Sequence, residues 1–313
     1  MSQPAWAAER TVPPELARSL VEEQFPALAP ARVRPLAVGW DNTAYVVNDD
    51  LVFRFPRRTI AVSLLDTEAR LLPALARRLP VAVPAPTFRG APSPDFPWPF
   101  LGHRLVPGRT ACAAALDEDA RVALAPALGR LLAALHAFPV EEAANLGAPP
   151  DQIGRLEVAR LRPVASAALS DLAARGLIDD PAPLFAVLGG VPDDVPVWAS
   201  TVVHGDLYAR HLLVDGEGRL AGVIDWGDVH IGDPAVDLQV VHTLLPASAR
   251  HAFRRAYGPV DARAWRLARF RGVRHTAAVL GYADETGDRP LRDEAHVAMR
   301  HLAEPDPWSD DAI

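Results

Sequence analysis

Val203-His204-Gly205-Asp206-Leu207-Tyr208-Ala209-Arg210-His211-Leu212-Leu213-Val214, followed by Val223-Ile224-Asp225-Trp226-Gly227, is the stretch whose reading decides the fold. Val202 and Val203 run into His204. Leu212 to Val214 and Leu220 to Ile224 are short apolar runs separated by Asp215-Gly216-Glu217-Gly218, a tight-turn composition. The pattern predicts strand, loop, strand, turn, strand. It puts Asp206 at the tip of a loop and Asp225 at the end of the next hairpin. The carboxylates are 19 positions apart yet able to meet at one rim. Phosphoryl transfer uses such a pair. One Asp orients a hydroxyl nucleophile and accepts its proton, and another holds the Mg²⁺ that bridges nucleotide phosphates.

The stretch resembles the aminoglycoside phosphotransferase and choline kinase superfamily, kinase-like enzymes that modify antibiotics and small metabolites. Their loop reads H-G-D-L-x-x-x-N and their second motif I-D-W/F-G or I-D-W/F-E. His204-Gly205-Asp206-Leu207 and Ile224-Asp225-Trp226-Gly227 match in order and spacing. Asp233-Pro234-Ala235-Val236-Asp237-Leu238 is similar to the G-D-P-x-x-D-L run that follows in the family. Where the family has Asn, this chain has His211, as in the H-G-D-L-x-x-x-H of the macrolide phosphotransferase branch. The resemblance implies Asp206 as the proton acceptor and Asp225 as the Mg²⁺ ligand. His211 is then either a second ligand or a brace of the loop, because Mg²⁺ prefers oxygen donors and imidazole suits softer metals. Arg210 is a candidate to stabilise phosphoryl charge, with a solvent-facing Arg as the alternative. His204 is expected to brace the loop, and Asp233 and Asp237 to fix the backbone after the metal turn.

The 313 residues are half hydrophobic and 23% charged, an ordinary balance for a soluble chain with ample core-forming length. A net charge of −7 does not suggest a nucleic-acid surface. Cys112 is the single cysteine, which excludes an internal disulfide and any multi-cysteine metal site. Met1 to Arg10 has no apolar core of signal-peptide length, and no apolar stretch approaches membrane-spanning length. A cytoplasmic protein without a membrane or nucleic-acid partner is expected, with a monomer favoured. All 32 basic residues are arginine; the chain has no lysine.

Thr11-Val12-Pro13-Pro14-Glu15 reads as a helix start with Thr11 as cap, the helix ending near Pro26. Strands are predicted at Val33 to Val38, Thr43 to Val47 and Leu51 to Phe55. Gly39-Trp40-Asp41-Asn42-Thr43 is similar to the family's nucleotide-covering loop, which assigns Gly39, Asn42 and Thr43 to the nucleotide. A plain hairpin is the alternative. Kinase-like folds put a lysine on the third strand to grip phosphates. Here Arg54 is the candidate, with Arg57 and Arg58 as competitors. Glu68 fits the family's helix glutamate that pairs with this cation. Pro73 suggests a kink or a new helix start. Eight prolines from Pro80 to Pro107 alternate with apolar residues and read as strands with rigid turns. The family's hinge, which reads the base through backbone groups, falls at Gly102 to Val106, with His103 and Leu105 as the contacts.

Helices are predicted over Asp117 to Phe138, bent by Pro126, and over Gln152 to Leu177 and Ala182 to Leu188. Three more follow over Ala247 to Tyr257, Ala262 to Leu280 and Leu291 to Leu302. Leu135-His136 is similar to the pair ending this helix in the family, with His136 structural. Trp265, Phe270, His275 and Tyr282 either line a pocket or fill the core. Glu304 to Ile313 reads as a frayed acidic end.

Together these readings predict an α+β, two-lobed kinase-like fold: residues 1–106 a nucleotide-binding lobe with a mainly antiparallel sheet, residues 107–313 a helical catalytic and substrate-binding lobe. The expected activity is transfer of the γ-phosphate of GTP or ATP, with Mg²⁺, to a small-molecule hydroxyl. His211 favours a macrolide 2′-hydroxyl, with aminoglycosides, sugars and amino alcohols as alternatives. A dinuclear phosphatase built on His204, Asp206, Asp225, Asp228 and His230 lacks the G-N-H run that such enzymes use. A nucleotide-binding pseudoenzyme is suggested by the absent lysine and the substituted Asn, and opposed by the presence of both Asp206 and Asp225.

Overall fold

A computed structural model describes residues 8–39 and 41–306. The expectations for Trp40, for residues 1–7 and for the tail from 307 onward lie outside the described residues. Contacts divide the chain into two units, Met1–Arg77 with Ala82–Val106 and Arg78–Val81 with Pro107–Ile313. The short segment Arg78–Val81 thus packs with the second unit.

The first unit is built on β-branched and aromatic residues alternating along adjacent strands. Its elements are α1 (Pro14–Gln24), β1 (Val33–Val38), β2 (Asn42–Val47), β3 (Leu51–Pro56), α2 (Thr59–Leu75), β4 (Phe88–Gly90) and β5 (Phe100–Arg104). The strands form one antiparallel sheet in the order β1-β2-β3-β5-β4. Leu51, Phe53 and Phe55 join Ala17, Leu20 and Val21 of α1 and the rings of Phe96 and Phe100 in one core. Each buried Leu, Val or Phe side chain among them contributes about 2 kcal/mol. Strand alternation then puts Arg54 on the opposite face, where it meets Glu68 of α2.

One expectation needs correction here. Thr11 does not cap α1, whose first residue is Pro14 behind Pro13 with no side-chain cap. Pro14 has no N–H and a preset φ, so one of the amides a cap would serve is absent. Of the two readings of Pro73, the new helix start is excluded, since α2 runs from Thr59 to Leu75 with Pro73 inside it.

The second unit holds β6 (Arg109–Thr110), α3 (Ala111–Ala114), α4 (Glu118–His136), α5 (Val140–Asn145), α6 (Val158–Ala174), α7 (Ala182–Gly189) and β7 (Thr201–Val203). After these come β8 (Leu212–Val214), β9 (Leu220–Val223), β10 (His230–Gly232), α8 (Ala235–Leu244), α9 (Ala247–Tyr257), α10 (Ala262–Thr286) and α11 (Arg289–Ala303). Two small sheets, β10-β7 and β6-β8-β9, carry the loops of interest. Asp117, Asp261 and Asp288 cap α4, α10 and α11 by accepting from the backbone amides of Ala120, Ala264 and Leu291.

The helix expected from Gln152 begins only at Val158. Asp151 accepts from the amides of Ile153 and Arg155 and winds that segment into a turn instead. In contrast, α10 passes Leu280 and stops at Thr286, where Gly287 takes a φ of 70°. Glu304 and Asp306 are not frayed. Glu304 accepts from the Ala247 amide at 2.7 Å, and buried Asp306 accepts from the Trp265 indole at 2.7 Å. No helix among the described residues is long and apolar enough to cross a membrane.

Candidate active site

The loop after β7 is held by a carboxylate beneath it. Asp237, in the first turn of α8, accepts from the His204 amide at 2.7 Å and the Gly205 amide at 3.0 Å. Gly205 has a φ of 90°, and a Cβ there would lie 2.1 Å from the Asp228 carbonyl oxygen. No side chain fits at that position. Arg271 of α10 closes the loop from its other side, donating to the carbonyls of Gly205 at 2.8 Å and Val236 at 3.2 Å. Burial lowers its pKa to about 10, and the charge of Asp206 works against that fall.

His204 is wholly buried against the Trp226 ring and joins the two acidic segments. Its Nε2–H donates to the Ile224 carbonyl at 3.0 Å, which leaves Nδ1 to accept from the Asp206 amide at 3.3 Å. That pattern needs the neutral ring, and burial lowers its pKa accordingly. His204 is a brace.

Asp206 and Asp225 flank His211. The His211 Nδ1–H donates to the Asp206 carbonyl at 2.8 Å and lies 3.7 Å from a carboxylate oxygen of Asp206. On its other side Nε2 is 3.3 Å from an Asp225 carboxylate oxygen. Burial would lower the His211 pKa, but the hydrogen bond and charge of Asp225, with the charge of Asp206, raise it to about 9. Asp225 sits at a φ of 63°, the left-handed region, and its side chain is 56% exposed.

Asp206 accepts from the His275 ring at 3.0 Å. Burial opposes its ionisation. The His275 hydrogen bond and the charges of His275, His211 and Arg271 outweigh that and hold the carboxyl well below the usual range. With 31% of its side chain accessible, Asp206 is an ionised and reachable acceptor.

The remaining sequence candidates fall as follows. Arg210 donates to Asp288 at the start of α11, so it is committed to a helix cap. Asp233 accepts from the Ala235 amide at 3.0 Å just before α8 and binds Arg263 at 2.7 Å. Asp237 holds the loop that carries Asp206, not the backbone after Asp225. Asp228 and Asp151 share Arg155, and His230 lies in β10 with Nδ1 on the Asp228 carbonyl. Trp265 and Phe270 belong to the core, and Tyr282 is exposed. Arg271 is the residue that the sequence did not point to, and His275, one of the four pocket-or-core candidates, takes the pocket reading by its bond to Asp206. They follow Gly205 and Asp206 by 66 and 69 positions on a separate helix, where no local spacing points back to the loop.

In the first unit, Arg54 bonds to Glu68, which is 1% exposed. The competitors are occupied by the β1–β2 turn: Arg57 donates to the Gly39 carbonyl and Arg58 to the Asp41 carboxylate. The Gly39 amide donates to the Asn42 carbonyl at 2.9 Å. Thr43 is buried in β2, paired with Phe55. The buried Asn42 Oδ1 has no hydrogen-bond partner among the described residues. His103 is turned inward with Nδ1 on the Arg104 carbonyl at 2.8 Å, and burial lowers its pKa to about 4. The Leu105 amide donates to the Asp50 carbonyl at 2.8 Å.

Mg²⁺ needs hard oxygen donors, usually one or two carboxylates with waters and substrate phosphates. The outward carboxylate of Asp225, with Asp206 nearby, suits that chemistry. His211 suits it less, since its Nδ1–H is spent on the Asp206 carbonyl and its Nε2 faces Asp225.

The chain matches the phosphotransferase enzyme family over residues 32–271. Viomycin phosphotransferase of Streptomyces vinaceus is 50% identical over 52 residues, 16% of this chain and 18% of that protein. The matched stretches take in only 29% and 18% of the length of the first two curated relatives. Among solved structures, the GDP complex of wild-type aminoglycoside 2′-phosphotransferase-IIIa has a TM-score of 0.67 at 26% identity, covering 93% of this chain and 98% of that one. Macrolide 2′-phosphotransferase MphH from Brachybacterium faecium has a TM-score of 0.58 at 27% identity, covering 94% and 98%. The antiparallel sheet of the first unit and the helical second unit are the α+β kinase-like fold of that family. By the breadth of that match, joined to the motif residues as the fold arranges them, the chain belongs to the phosphotransferase enzyme family.

Proposed function

We propose that this protein moves the γ-phosphoryl group of GTP or ATP to a hydroxyl of a small molecule. The observation that carries the reading is the ionised Asp206, aimed by His275 and set beside Asp225 across His211. In the reaction the acceptor oxygen attacks the γ-phosphorus, and the bond from that phosphorus to the β-phosphate oxygen breaks. The nucleoside diphosphate leaves, and Asp206 takes the hydroxyl proton late in transfer. Asp225 would hold Mg²⁺, which when bound offsets the negative charge of the donor phosphates. In the first unit, Arg54 would supply the cation for the α- and β-phosphates. A guanidinium engages phosphate as a fork rather than as a point charge. Gly39, Asn42 and Thr43 would face the nucleotide, and the backbone near His103 and Leu105 its base. Arg210 would have to leave Asp288 to reach the transferring group.

Solved relatives named for aminoglycosides and for macrolides stand at similar identity, so likeness does not choose the acceptor. The macrolide expectation rested on His211. That residue is buried, with its ring nitrogens turned to Asp206 and Asp225.

The test is mass spectrometry of macrolides, aminoglycosides and simple alcohols incubated with the protein, Mg²⁺ and ATP or GTP. Asp206→Asn serves as control. A phosphorylated product that falls about 10²–10⁴-fold in the variant is expected. Nucleotide binding without any product from the wild-type protein would favour the pseudoenzyme.

A further inference from the structure

Two residues of α10 reach the loop that carries Asp206, and a third lies beside them. Arg271 and His275, one turn apart, bond to Gly205 and Asp206 respectively, and Arg274, three residues after Arg271, flanks them on the helix within reach of the Asp206 charge. The other cations near it are matched: Arg155 by Asp151 and Asp228, Arg160 by Glu157 and the carbonyls of Ile153 and Gly154. Arg274 is different. It is half-buried and has neither a hydrogen bond nor an ion pair among the described residues. A guanidinium held this way is short of negative charge. Burial and the charges of Arg160 and Arg155 lower its pKa, and Asp206 alone opposes them.

Beyond Arg274 the same face is open. Ala278 is exposed, a side chain at Gly281 would meet nothing within 4 Å, and the Tyr282 ring is exposed. Small residues beside a ring leave this stretch of helix uncovered among the described residues, with room for a small molecule beside Arg274.

We propose that Arg274 recognises an anionic group of the acceptor, so that the substrate is an alcohol that also carries a carboxylate or a phosphate. The inference rests on the phosphotransferase reading and deepens it. A second cation on the acceptor would be repelled. Polycationic aminoglycosides therefore suit this wall poorly.

Matched alcohols test it: gluconate against glucose, glycerate and glycerol 3-phosphate against glycerol, 3-hydroxybutyrate against 1,3-butanediol. A macrolide and an aminoglycoside complete the panel, with Mg²⁺ and ATP or GTP. The expected result is a preference of at least tenfold in kcat/KM for an anion-bearing member. Arg274→Gln should raise the KM of that member about tenfold to a hundredfold, leave its kcat and the nucleotide KM near wild type, and erase the preference, while Arg274→Lys restores part of it. If Arg274→Gln lowers kcat equally on all acceptors, Arg274 serves the transferring phosphoryl group and the proposal falls. It falls equally if the wild-type protein prefers neutral or cationic alcohols. A panel with no preferred anionic member, by product or by calorimetric binding to Asp206→Asn, also overturns it. Failure of the underlying reading looks different: Asp206→Asn would then be as active as wild type, or no nucleotide would bind.

Discussion

Gly205 precedes Asp206 in the chain and His275 bonds to its carboxylate, and each tests a separate property of the loop. Gly205→Ala has to combine an unfavourable φ with a Cβ that strikes backbone at 2.1 Å. The loop must shift, so turnover should be lost while a circular dichroism spectrum stays near wild type. His275→Ala removes one hydrogen bond to a charged group, worth about 1.5–3 kcal/mol, or roughly tenfold to a hundredfold in rate. We expect kcat to fall by that factor with the nucleotide KM unchanged, and His275→Gln to recover part of it. An unchanged kcat in His275→Ala would remove His275 from the site.

At the scale of elements, α4 is pinned twice. At Gly129 a Cβ would lie 2.7 Å from the Phe253 carbonyl oxygen and 2.8 Å from the Ala256 Cβ, so α4 and α9 touch there almost backbone to backbone. Gly129→Ala should cost about 1–3 kcal/mol, read as a lower midpoint in urea unfolding. At its first turn Arg121 of α4 makes a two-point bond to Glu294 of α11, at 2.8 and 2.6 Å, with both side chains buried. Arg121→Met leaves Glu294 buried without its cation and should cost about 3–5 kcal/mol. Replacing both by apolar residues of similar size should recover most of that loss. The elements themselves were largely legible, because hairpins at Asn48-Asp49-Asp50 and Asp215-Gly216-Glu217-Gly218 are short and locally determined. The pair Asp206 and Asp225 was legible for the same reason. What was not legible depends on long-range packing. His275 earns its place only when α10 folds back on the loop, and Arg210 is drawn to Asp288 by α11 rather than by its neighbours in sequence.

Across the whole molecule, buried histidines set a limit in acid. His103 in the first unit and His301 in the second both have pKa values lowered to about 4, chiefly by burial. In the unfolded chain these rings bind a proton near pH 6.5. Between about pH 6.5 and 4 the unfolded state therefore holds more protons, and stability rises with pH. It is present above that window and is lost as pH falls through it. Thermal melts should show a Tm that declines from pH 7 to pH 4.5, with a shallower decline in His301→Gln than in the wild-type protein. Equal slopes would remove His301 from the account. The arginine-only composition has a chemical counterpart of its own. With Arg54 standing opposite Glu68 in β3 and no lysine anywhere in the chain, reagents that acylate lysine amines will find no side chain to modify. A lysine-directed nucleotide affinity label should leave the protein unmarked, whereas an arginine-selective dicarbonyl should label it, and bound nucleotide should shield Arg54 from that label.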